Sequence, residues 1–172
     1  MSRGFTCQCC CVSGGSAGFL AFGVSSINGN GDITFPNVVL NLGDGYNSTT
    51  GVFTCPKRGI YSLWVTLGNP PVVPDVSNFN FLNLLNVTKC DLLGTPDNES
   101  NFVLLYTFFT TSTVSLTFPL DVGFMLRIGN CNYPQQIEGS YYTHFSAMYI
   151  SSLSHEFAEF GKGKKSPPGQ NV

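Results

Sequence analysis

Charge is scarce in this sequence. Only 10% of its 172 residues are Asp, Glu, Lys or Arg, against roughly one-quarter in an ordinary soluble domain. The formal net charge is −2 and no basic stripe lies inside the domain, so attraction to phosphate backbones has no evident source and no nucleic-acid partner is expected. Histidine is nearly as rare, with His144 and His155 alone. No nucleophile elbow or family motif pairs His144 with a Ser or Cys, so it reads as a structural residue and no enzyme is indicated. The ten acids are scattered, and those that come near one another, Asp97/Glu99 and Glu156/Glu159, make neither a calcium loop nor a paired acid and base. Gly43-Asp44-Gly45 lacks the Lys-Ser/Thr of a phosphate-cradling loop and reads as a turn.

Uninterrupted apolar runs are also missing. Residues Phe102 to Leu120 carry no charge, long enough to raise the question of a membrane span. Hydroxyl residues interrupt them, and Val114, Leu116 and Phe118 alternate with Ser and Thr, so the stretch reads as two strands around a Thr/Ser turn and no transmembrane segment is expected. At the N-terminus Arg3 is followed by Cys and small polar residues, without the apolar region of a cleavable signal.

What the chain does have is apolar mass: 42% hydrophobic and 13% aromatic residues, which require a core and exclude a solvated disordered chain. The length suits one domain. Turn signals recur at 28–32, 43–45, 50–51, 69–71, 94–98 and 129–130. Between them lie short apolar or alternating runs at 18–25, 33–42, 59–67, 79–87, 102–109, 114–119, 122–128 and 141–151. About eight strands with hairpin-length links predict an all-β, jelly-roll sandwich of two antiparallel sheets. In one strand Tyr61, Leu63, Val65 and Leu67 share a face that belongs to the core. Ile60, Ser62, Trp64 and Thr66 take the other, where the sole Trp calls for an apolar cover such as a second subunit.

The seven cysteines divide by position. Cys7, Cys9, Cys10 and Cys11 crowd a leader expected over 1–17, open to modification or to crosslinking between copies; no second Cys/His pair completes a zinc set. Cys55, Cys90 and Cys131 read first as small buried hydrophobes, with a Cys90–Cys131 disulfide as the alternative. The domain is expected over 18–152, followed by a flexible basic tail over 153–172 with its Lys, Gly and Pro.

The run Phe35, five residues, Asn41, four residues, Tyr46, six residues, Phe53, five residues, Gly59, then Tyr61 resembles the signature of the complement C1q globular domain. Ala21-Phe22 is similar to that family's opening strand, the segment 50–56 to its turn into the central strand, and 145–150 to its closing strand. Leu63 and Val65 stand where aromatics are usual, and Ala147-Met148 where Gly and Phe are. The resemblance implies a jelly roll of about ten strands shared with the tumour necrosis factor (TNF) family, assembled as a trimer about a hydrophobic axis. Ile60, Trp64, Tyr142 and Met148 are then the candidate trimer residues. No cofactor and no metal site are expected. Some relatives bind calcium, but the family's acid before the penultimate strand is displaced here to Asp121, which argues against carrying that site over.

Three Asn sequons, at Asn47, Asn86 and Asn98, are candidate glycosylation sites for a secreted, extracellular protein. The function expected from the resemblance is a homotrimeric recognition protein of innate immunity. It would bind microbial or self surface carbohydrate, lipid or protein through the links 24–32, 70–78, 92–101 and 130–138. A TNF-like cytokine acting on a receptor, and a structural jelly roll that self-assembles, are the alternatives.

Overall fold

The computed structural model describes residues 15–27, 31–68, 88–96, 102–110, 112–132, 137 and 142–153. Several expectations lie outside them: the cysteines of the leader, the run at 79–87, the link at 70–78, Asn86, Asn98, His155 and the tail beyond 153.

Among the described residues there is no helix, and the fold is all-β. The strands are β1 (Gly18–Phe22), β2 (Ser25–Ile27), β3 (Asp32–Thr34), β4 (Asn37–Leu42), β5 (Tyr46–Asn47) and β6 (Val52–Thr54). They continue with β7 (Gly59–Thr66), β8 (Lys89–Thr95), β9 (Val103–Phe109), β10 (Thr113–Leu120), β11 (Met125–Gly129) and β12 (His144–Ser151). A first sheet has the order β10-β7-β12-β1-β4, a second the order β5-β6-β11-β8-β9, and β2 and β3 form a separate hairpin. Every pairing is antiparallel, as the expected jelly-roll sandwich requires.

Alternation fixes which side chains meet between the sheets. Tyr61, Leu63, Val65 and Leu67 are all buried, as their spacing predicts, alongside Phe19, Ala21, Phe145 and Ala147 from the flanking strands. Phe19 ties the layers together: its ring stacks on Tyr46 at 4.3 Å, lies 4.9 Å from Phe53, and meets Phe145 edge-on at 4.8 Å. Offset and T-shaped contacts of this kind add about 0.5–1.5 kcal/mol per pair beyond area burial.

The residues that resemble the C1q signature hold one corner of this core. Asn41 acts as a side-chain imitation of a strand, its Nδ2 donating to the Tyr46 carbonyl at 2.9 Å while its Oδ1 accepts from the Tyr46 N–H at 3.0 Å. The Tyr46 hydroxyl accepts from the Phe35 N–H at 3.1 Å and donates to the Phe35 carbonyl at 3.3 Å. Tyr61 donates to the Lys57 carbonyl at 2.8 Å. Gly59 has no room for a side chain: a Cβ there would stand 2.3 Å from the Tyr149 ring and 2.5 Å from the Ser151 carbonyl oxygen. Phe35 and Phe53 are wholly buried.

Four expectations need correcting. The run 33–42 is not one strand; it breaks at Phe35-Pro36 into β3 and β4, because Pro has no N–H to offer a ladder. The link at 92–101 begins later than expected, since Leu92–Thr95 complete β8; Gly94 is a packing glycine rather than a turn signal, with Leu105 and Phe124 within 3 Å of where its Cβ would stand. Strand β11 starts at Met125 rather than 122, after a turn that runs through Gly123. Finally, Cys90 and Cys131 are not free thiols but form a disulfide between the start of β8 and the residues just past β11. Both are buried, so the compositional rule for small hydrophobes held while their pairing escaped it. Cys55 alone fits the first reading: it is free and buried, its Sγ donates to the Lys57 carbonyl at 3.1 Å, and burial raises its pKa.

Candidate interaction surface

The outer face of the first sheet can be read directly from the register, because residues opposed across an antiparallel ladder share a face. One row runs Thr113–Thr66–His144–Phe22–Asn37, the next Ser115–Trp64–Ser146–Leu20–Leu40, and the third Thr117–Ser62–Met148–Gly18–Leu42. A partial fourth row pairs Pro119 with Ile60. Trp64 keeps 40% of its surface exposed, whereas Ser62 and Ser146 beside it are buried at the floor of the face.

The five strands of this sheet contain no Asp, Glu, Lys or Arg. The second sheet differs: Lys89, Asp91 and Arg127 lie on its strands. There Asp91 accepts from Thr107 at 2.7 Å and from Asn130 at 3.2 Å. Arg127 pairs with Asp32 at 3.0 Å under the Phe102 ring. Asp121, the displaced acid, is occupied by Arg58 at 2.9 Å, and among the described residues no three His, Cys, Asp or Glu side chains are grouped to hold a metal ion. His144 is the single group of the first sheet that titrates near neutrality, and burial lowers its pKa below the usual 6.5.

Of the candidate trimer residues, the fold brings Trp64 and Met148 together as diagonal neighbours in adjacent rows. Ile60 sits in the partial row at one end. Tyr142 stands just before β12 at the other end and is 73% exposed. Leu20, Phe22, Leu40 and Leu42 belong to the same face and were not singled out from sequence. The signal was there: Asn41 turned inward places Leu40 and Leu42 outward.

A second apolar surface lies on β9, the edge strand of the other sheet, where Val103, Leu104, Tyr106 and Phe109 are each more than 40% exposed. Where the links leave the sandwich also follows from register. Phe22, Asn37, Thr66, Thr113 and His144 end or begin strands in one row, and Phe109 and Gly129 stand at the same end. Phe22, Thr66 and Gly129, which the expected binding links 24–32, 70–78 and 130–138 follow along the chain, therefore stand at one end of the sandwich, and Thr95 stands at the other. The β2–β3 hairpin is fixed there by the disulfide corner, the Cys131 N–H donating to the Gly31 carbonyl at 3.0 Å. Asn47 is exposed, its Oδ1 accepting from the N–H groups of Thr49 and Thr50.

Two opposed five-stranded antiparallel sheets with this strand order define a jelly-roll sandwich, the fold of C1q and TNF-like domains. Comparison with known proteins agrees. The C1q domain family matches residues 20–80. The fold is similar to that of murine APRIL, a TNF-family member. Its crystal structure at pH 8.5 superposes with a TM-score of 0.53 at 12% identity, covering 78% of this chain and 99% of that one. The structure at pH 8.0 gives 0.51 at 12% identity, covering 79% and 98%, and that at pH 5.0 gives 0.52 at 12% identity, covering 78% and 99%. No curated protein matches the sequence. C1q and TNF-like domains are ligand or cytokine domains rather than enzymes. Among the described residues, no helix is long and apolar enough to cross a membrane.

Proposed function

We propose that this chain is a non-catalytic recognition protein that assembles as a homotrimer through the uncharged outer face of its first sheet. It presents the links at one end of the sandwich to carbohydrate, lipid or protein on microbial or self surfaces, in innate defence. The observation that carries the reading is the five-strand sheet without a fixed charge, whose outward rows bear Trp64, Met148, Leu20, Leu40 and Leu42. An apolar face of this extent calls for a partner surface. A closed ring of identical copies needs two different patches on each subunit, which the sheet face and the β9 edge supply. Three weak sites on one rigid body would then act by avidity.

A domain bounded at 18–152, secretion and glycosylation at Asn47 belong to the same reading. The Cys90–Cys131 disulfide supports it, because such bonds persist outside the reducing cytosol. Sedimentation equilibrium tests the assembly. The expected result is a trimer whose Trp64 resists iodide quenching and which Trp64→Glu converts to a folded monomer; a wild-type monomer with freely quenched Trp64 overturns it. Capture by lipopolysaccharide, glycans or bacteria supports surface recognition, whereas a response confined to receptor-bearing cells replaces it with cytokine-like signalling.

A further inference from the structure

Assembly through the first sheet, the proposal on which any role for His144 depends, would bury a face with one ionisable member. His144 opposes Thr66 on β7 and Phe22 on β1, and lies in the same row as Thr113 and Asn37. The hydroxyls of Thr66 and Thr113 bond each other at 3.0 Å, and the Asn37 amide donates to the Phe22 carbonyl at 3.3 Å, so each of these groups has a partner other than the imidazole. No carboxylate and no fixed cation stands on any of the five strands, and the phenol of Tyr142 is the nearest titratable group along the chain. A proton added to His144 would therefore find no counter-charge on its own sheet.

We infer that His144 makes self-association acid-sensitive: assembled above the ordinary imidazole range, the protein separates into subunits as the pH falls below it. The physical reason is desolvation. A neutral imidazole can be covered by an apolar partner surface at small cost, whereas an imidazolium covered without a carboxylate loses its hydration and gains nothing in return. The sign follows from linkage. A separated subunit leaves His144 more open to water and so takes up the proton first; lowering the pH then favours the separated form. Burial within the subunit lowers the imidazole below its usual 6.5 in the separated form as well, so the transition falls below that value. Where the separated subunit is protonated and the assembly is not, association weakens by about tenfold per pH unit for each histidine covered.

Sedimentation velocity of the full chain at pH 7.5 and 5.5 tests this, with His144→Gln and His155→Gln beside wild type. The expected result is that wild type and His155→Gln are assembled at pH 7.5 and dissociated at pH 5.5, while His144→Gln stays assembled at both. Circular dichroism should show folded subunits throughout. Assembly of wild type at both pH values, or dissociation of His144→Gln together with wild type at pH 5.5, overturns the role of His144 and leaves the interface standing. A wild-type monomer at pH 7.5 overturns the interface, and the switch with it.

Discussion

Replacing Cys90 and Cys131 together by Ala should destabilise the domain by about 4 kcal/mol. The bond closes a separation of 41 residues, and loop-closure entropy for a loop of that length gives about 4 kcal/mol at 25 °C. The native state contributes little to the difference, because the two strand ends are held without the sulfurs. Gly129 pairs with Asp91, the Lys89 N–H donates to the Asn132 side chain at 2.7 Å, and the Asn132 N–H donates to the Lys89 carbonyl at 3.1 Å. The loss therefore acts on the unfolded chain, which gains freedom over β8 to β11. Changing both residues avoids leaving one thiol free to pair with the N-terminal cysteines. Urea titration should show an unchanged native spectrum and a lower midpoint, and calorimetry a melting temperature lower by roughly 10–15 °C for a domain of this size. Non-reducing peptide mapping should recover Cys90 linked to Cys131. A loss below about 1 kcal/mol, or both thiols free in folded protein prepared without reductant, would refute the reasoning.

Tyr46→Phe removes the hydroxyl that accepts from the buried Phe35 N–H and should cost about 1–3 kcal/mol in urea unfolding without changing the fold; a neutral result would mean that the bond is replaced. Gly59→Ala sets a methyl group into the Tyr149 ring and the Ser151 carbonyl, and should lower stability by about 1–3 kcal/mol, with Tyr149→Ala restoring part of it. Alkali should destabilise the domain above pH 10. Burial raises the Tyr61 phenol and raises Tyr46 from 10.0 to about 12. Between those values the unfolded chain releases a proton that the folded chain retains, so this stability is intact below pH 10 and is lost as the pH rises. Tyr46 accounts for on the order of 2 kcal/mol of it, and Tyr46→Phe should flatten the dependence of the urea midpoint on pH.

Much of the sandwich was legible in the chain because strand alternation is local. The burial of Tyr61, Leu63, Val65 and Leu67 and the outward side of Trp64 follow from a period of two, whatever the partner strand. The hydroxyls of 110–115 separated β9 from β10 for the same reason. Spacing alone carried the C1q resemblance, and the structure supplies its cause in the Asn41–Tyr46–Phe35 bonds.

What the sequence could not settle depends on which strand lies beside which. Cys90 and Cys131 are far apart along the chain and adjacent only because β8 pairs with β11. Gly94 looks like a turn until β9 and Phe124 close over it. Leu20, Leu40, Met148 and Trp64 come from four segments and become one face only when β4, β1, β12 and β7 are laid side by side. Composition announced that charge was scarce; tertiary pairing decided that one whole sheet would have none and that His144 would stand alone on it. A side chain's face is set by its immediate neighbours, whereas a surface is set by register between strands distant in sequence.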